Sequence, residues 1–343
     1  MNKKLLAVAV SAALVAPVAA MAGDVAVYGQ AQVEVASYSD ETPTGATKKG
    51  NDGVDTVDAS RGRVGVKASE DLGMGLKAFA QFEFKADTTD NITDSNSDGK
   101  GKGALTSRVS QVGLKGGFGT VALGNLKSPY KYTGGVKYDP FVATSLQARG
   151  NGGMTSGAFG HNSFVNDSVM YSSPKAPVTA SLLYAPSEDD GAWILAVKYK
   201  QGGIEAFISA LDEGDRPKDP TASGDKSDSS AVKIGGQYKM GMHKFSAQVE
   251  QTEENNAAGT TKTEADVFFI GYQATVGKNV FVGQYGSTDV TVKTAGVSTS
   301  NDGAYMSLGV IHKMSKMTRV FGGWRDTEDF ESVVSIGLRK DFK

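Results

Sequence analysis

Leu76-Lys77-Ala78-Phe79-Ala80-Gln81-Phe82-Glu83-Phe84-Lys85 places Leu76, Ala78, Ala80, Phe82 and Phe84 on one face of an extended chain. Lys77, Gln81, Glu83 and Lys85 fall on the other. Strand side chains alternate with a period of two, so this is a ribbon with one apolar and one wet face. Ribbons of about ten residues, separated by polar or glycine-rich turns, mark a membrane-spanning antiparallel β-barrel.

The pattern recurs along the chain. Before the quoted stretch come residues 24–38 and 58–69; after it come 105–115, 120–125, 168–173, 178–184, 192–200 and 204–211. The series continues with 231–240, 243–251, 265–276, 279–289, 303–313, 318–326 and 331–342. That makes about sixteen ribbons, an even count that returns both termini to one side of the membrane. Connections alternate between short and long, and the longest runs from Leu126 to Asn166. Tyr28, Tyr38, Phe118, Tyr184, Tyr199, Tyr238, Phe330 and Phe342 lie near ribbon ends, where an interfacial aromatic girdle belongs. A soluble sandwich or propeller would show larger aliphatic side chains and a blade repeat, and none is evident.

The N-terminus has Lys3 and Lys4, an apolar run from Leu5 to Ala20, and Ala20-Met21-Ala22, which predicts a secretory signal peptide cleaved after Ala22. Residues 23–343 then form one barrel domain without a linker. No later run of about twenty apolar residues predicts a spanning helix, and a strand needs only half its residues apolar. The chain has no cysteine, which excludes a disulfide scaffold and thiol chemistry. Loss of Lys3 and Lys4 takes the formal charge from −2 to −4, against the basic balance of a nucleic-acid binder.

Several stretches together resemble the general trimeric porins of the Gram-negative outer membrane. They are Asp24–Gly29, Ser60–Lys67, Arg108–Lys115 with Phe118–Val121, Ser168–Pro174 and Val334–Phe342. The resemblance implies a barrel whose long third loop folds into the lumen. It also implies a homotrimer among lipid and lipopolysaccharide, and a terminal strand, ending on Phe342, read by the outer-membrane assembly machinery. Two departures stand out. Lys343 follows the terminal aromatic, and Phe164 occupies a place where the family often carries arginine.

With Val64 and Val66 facing lipid, Arg61, Arg63 and Lys67 point inward, as do Lys77 and Lys85 beside Glu83. Arg108 shares the parity of Val112 and Leu114, which would expose it to lipid at a cost of about 2–4 kcal/mol. A bulge near Gly113, or pairing outward from Val109, would bring it inside, as the resemblance favours. The long loop carries Lys127, Lys131, Lys137 and Arg149 against Asp139 as its only acid, with Asp167 just beyond. Charged rings select ions by sign, so the expected constriction is net positive and mildly prefers anions. Acidic outer loops (Glu188, Asp189, Asp190, Asp212, Glu213, Asp215) bias the mouth the other way.

Residues 94–99 open like a calcium loop, but the glutamate position is Leu105. His161, His243 and His312 lack metal-ligand spacing and are expected in solvated or lumen positions. No catalytic or cofactor fingerprint is present. The reading is a passive diffusion channel for ions and small hydrophilic solutes. The alternatives are an adhesin or receptor acting through its outer loops and, more remotely, a barrel enzyme.

Overall fold

The computed structural model describes residues 23–39, 53–57, 61–89, 105–155, 161, 164–187, 191–214, 228–256, 258–328 and 331–343. The expected signal peptide, the calcium-like loop, Phe330 and most of the acidic loop residues lie outside them. The strands begin with β1 (Asp24–Tyr38), β2 (Gly53–Val57), β3 (Arg63–Gly73), β4 (Leu76–Ala86), β5 (Leu105–Gly116) and β6 (Gly119–Lys127). After a short helix α1 (Pro129–Thr133) follow β7 (Phe164–Ser172), β8 (Val178–Ala185), β9 (Ala192–Gln201), β10 (Ile204–Asp212) and β11 (Asp228–Met240). The last are β12 (His243–Asn255), β13 (Thr261–Val276), β14 (Asn279–Thr294), β15 (Val297–Lys313), β16 (Thr318–Thr327) and β17 (Val333–Phe342).

β2 pairs with residues 34–38 of β1 and β3 with residues 24–30, so the two are lengths of a single stave. β17 returns to the other edge of β1, from Gly29↔Phe342 to Tyr38↔Val333. The result is a closed antiparallel barrel of 16 staves. Closure leaves no unpaired edge, which hydrocarbon would not tolerate.

Burial is inside out. Val33, Val35, Phe82, Val112, Ile208, Val249, Ile336 and Leu338 are exposed on the outer face, whereas Gln32, Glu34, Gln81, Glu83, Gln248, Glu250, Gln284 and Ser335 are buried on the inner one. Of the expected girdle, Phe118, Tyr184, Tyr199, Tyr238 and Phe342 are exposed. Tyr28 and Tyr38 correct that expectation. Tyr28 donates inward to Glu83 Oε2 (2.9 Å), and the Tyr38 hydroxyl meets Ser145 Oγ (3.4 Å).

A second correction concerns β14 and β15. Their expected ends at Asp289 and Gly303 are extended into one tall hairpin, closed by Ala295 and Gly296 with φ of 49° and 81°. Successive positive φ values suit a two-residue hairpin turn, and the glycine takes that backbone without strain.

Residues 128–155 pack against the inner face. Ser128 caps α1 by accepting from Lys131 N (3.3 Å), with proline entering the first turn, where its missing N–H costs nothing. Tyr130 donates to Glu250 Oε1 (2.6 Å), and Gly135 N to Gln248 Oε1 (2.8 Å). Ser145 N donates to Glu34 Oε1 (2.9 Å), Gln32 to the Ala143 carbonyl (2.6 Å), and Arg325 to the Ser145 carbonyl (3.0 Å). Apolar contacts add to this. Tyr130 and Leu126 meet Leu183, Ile194 and Leu211, while Tyr138 meets Phe207, Phe269 and Tyr305. Phe141 and Leu146 meet Val280, Val282, Ile311 and Phe321. The inner wall from β8 to β16 is therefore not uniformly polar, as a simple wet lumen would be. Its apolar side chains are the floor on which this segment sits.

Candidate functional site

The arc from β3 to β5 holds the charges. Glu83 has a side chain only 2% exposed and lies between Arg63 Nη1 (3.5 Å) and Arg108 Nε (3.2 Å), with Tyr28 donating from below. Gln81 continues the network by donating to the Tyr28 hydroxyl and accepting from Gln111 (2.9 Å). The charge-assisted bonds from two guanidiniums to one carboxylate hold the two arginines near each other.

Arg108 enters this cluster through a bulge. Glu83 pairs with Val109 and Phe84 with Ser107, so Arg108 is the extra residue and turns inward. The irregularity sits at Arg108 itself rather than near Gly113. A bulge re-aims one side chain while leaving the strand's outer apolar face in register.

Lys67 lies over the Tyr28 ring (4.6 Å). Lys127, at the end of β6, is within electrostatic range of Glu83, Arg63, Lys67 and Arg108. From the loop side, Lys131 and Arg149 close on the same space. Burial, with Arg149, Arg108, Arg63 and Lys127 around it, pushes the Lys131 ammonium down to about 7. Phe164 sits among these cations, its ring 4.9 Å from Arg108 Cζ and 5.3 Å from Lys131 Nζ, and Tyr132 packs beside it (6.4 Å). Aromatic faces attract cations by about 0.5–2 kcal/mol, so the rings help hold like charges close together.

The other predicted residues are placed elsewhere. Arg61 lies in the break between β2 and β3, near Arg339 and Arg319 as well as Arg63. Lys77 is exposed and pairs with Asp71 (3.3 Å) beside the turn after β3. Lys137 faces Lys198, Glu205 and Lys200 on the opposite wall. Asp139 is buried inside the loop. Its Oδ1 accepts from Phe141 N (2.8 Å) and Gln284 Nε2 (3.0 Å), and its Oδ2 from Ala148 N (2.9 Å). Phe342 covers Gly29 at the seam, outside the lumen. His161 is buried on the lumen side, 4.0 Å from Glu250; His243 is half-buried and bonded to Tyr272, and His312 is exposed and bonded to Asn279. Arg319 and Arg339 went unnoticed in the sequence. Their parity opposite the outward Ile336 and Leu338 was the available signal for Arg339, and pairing then brings Arg319 beside it.

The sequence profile described as Gram-negative porin matches residues 7–329. The major outer membrane protein P.IB of Neisseria gonorrhoeae is 33% identical over 222 residues, 62% of this chain and 57% of that protein, so the match spans little more than half its length. Outer membrane porin protein 32 of Delftia acidovorans is 28% identical over 94% of this chain and 88% of that one. Among solved structures, the anion-selective porin from Comamonas acidovorans superposes with a TM-score of 0.68. It is 23% identical, covering 93% of this chain and all of that one. OmpT of Vibrio cholerae with loop L8 deleted gives 0.70 at 17% identity, over 94% of this chain and all of that one.

Proposed function

Because the chain belongs to the Gram-negative porin family, we propose that it is a passive, water-filled channel of the outer membrane. It passes ions and small hydrophilic solutes, assembles as a homotrimer, and prefers anions at its narrowest point. The constriction is the space between residues 128–155 and the β3–β5 arc, lined by Arg63, Lys67, Arg108, Lys127, Lys131 and Arg149. The observation that carries the sign is Asp139. It is the only acid of that loop segment, and its carboxylate is engaged by backbone and Gln284 rather than turned to the lumen. Glu34 and Glu250 likewise tie the loop down. Glu83 is then left as the acid among six cations, and a ring of one sign excludes its own sign. Phe342, at the closing strand, is the residue offered to the assembly machinery.

The test is the reversal potential of the refolded protein in a planar bilayer under a potassium chloride gradient. A potential toward the chloride value is expected, and one toward the potassium value would sink the assignment of sign.

A further inference from the structure

We infer that the lumen carries a second anion station, formed by Arg61, Arg319 and Arg339 with Asp341 where β16, β17 and β1 meet, and suited to a divalent oxyanion of the sulfate or hydrogenphosphate type. The inference rests on the channel reading above and concerns residues outside the Glu83 cluster.

Arg319 and Arg339 stand directly opposite each other in the β16–β17 register. Like charges so placed repel across a strand pair, and the one carboxylate between them does not balance them. Arg339 Nε donates to Asp341 Oδ1 (2.7 Å), and Arg319 Nη2 reaches Asp341 Oδ2 at only 3.7 Å. Arg339 Nη2 also donates to Gln30 Oε1, and Gln30 Nε2 donates to the Arg61 carbonyl (3.2 Å). That chain of bonds ties the break at Arg61 to the seam. There Arg61 is within electrostatic range of both other arginines, and its Nε is buried with no hydrogen-bond partner among the described residues.

Three guanidiniums and one carboxylate leave two positive charges, which one divalent anion neutralises. Planar guanidinium forks match the oxygens of a tetrahedral oxyanion, whereas chloride would satisfy fewer donors. Arg63 links the two places, since it neighbours Arg108 on one side and Arg339 on the other. Arg319 is the second residue of β16, just after the short turn at 314–317, and the row Asp341↔Gln30↔Arg63 sets the station beside the Glu83 cluster on the barrel wall.

The experiment measures chloride current through single channels as potassium sulfate is added, in the unaltered protein and in Arg319→Gln and Asp341→Asn. Sulfate is expected to block saturably. Arg319→Gln should raise the half-blocking concentration about tenfold, the loss of one charge-assisted contact, and Asp341→Asn should lower it. Because the two substitutions act in opposite directions, poor folding of either leaves the other decisive. Block that never saturates, or that saturates unchanged by a folded variant, overturns the station. The potassium chloride reversal potential is read in the same membranes. A cation-side potential with intact saturable block would fail the constriction reading while keeping the station.

Discussion

Arg108 bonds Glu83 because the β4–β5 register skips it, Val109 and Ser107 taking the flanking places. The bulge converts a lipid-facing parity into a lumen-facing side chain. Glu83→Gln keeps the shape of the acceptor and removes its charge. The reversal potential should move further toward chloride, by a few millivolts to tens of millivolts at a tenfold gradient, as expected for an ion-selective ring. No movement, or movement toward potassium, would show that Glu83 does not face the conducting path.

Lys131 supplies a pH dependence. Its ammonium is pushed down to about 7, so it is charged below that pH and neutral above it. Raising pH from about 6 to about 8 removes one positive charge from the cluster, and anion preference should fall over that interval. Lys131→Met should show the high-pH selectivity throughout. A wild-type selectivity flat across the interval would contradict the placement.

Asp139 fixes the loop from within. Asp139→Ala leaves Phe141 N, Ala148 N and Gln284 without their acceptor, and a buried donor left unmade costs about 1–3 kcal/mol. The barrel ladder is untouched, so the protein should still migrate as a folded barrel in an unheated detergent gel. Its conductance and current noise should rise. An unchanged conductance would mean that the loop does not narrow the pore.

Gly29 permits the closing contact. A Cβ at Gly29 would lie 2.2 Å from the Phe342 ring and 2.5 Å from the Arg63 carbonyl oxygen. Gly29→Ala should cost about 1–3 kcal/mol of overpacking and lower the folded fraction on refolding, read on the same gel. Phe342→Leu in that background should recover part of it if the ring is the obstacle.

Phe164 departs from the arginine that the family resemblance would put there. Phe164→Arg adds a charge but removes the ring that Arg108 and Lys131 share. Anion preference should increase, with lower thermal stability by about 1–2 kcal/mol from the lost cation–π contacts and added repulsion. A decrease in anion preference would show that ring packing, not charge count, sets the cluster.

The staves could be read from sequence wherever one face meets lipid and the other water, as in Leu76–Lys85. Alternation failed in three physical situations. Ser298 to Asp302 of β15 are polar and exposed on both faces, so nothing marks them as strand. Leu183, Ile194 and Leu211 are apolar on the inner face because the loop covers them, which blurs the wet side. At Arg108 a single extra residue inverts the parity. Charge type was visible for most of the site, but Asp139 looked like a pore acid because nothing in the sequence shows the loop folding back so that Phe141 N and Ala148 N bond it, nor brings in Gln284 from β14.

The apolar clusters beneath residues 128–155 give the barrel two layers from β8 to β16 and leave one layer from β3 to β5. A shell of uneven thickness yields where it is thin. A bulky solute would then be admitted by outward flexing of the thin arc, and that arc holds Arg63, Lys67 and Arg108. Flexing would spread those charges apart. Size and sign discrimination are thus coupled mechanically: the larger the permeant, the less its charge should matter.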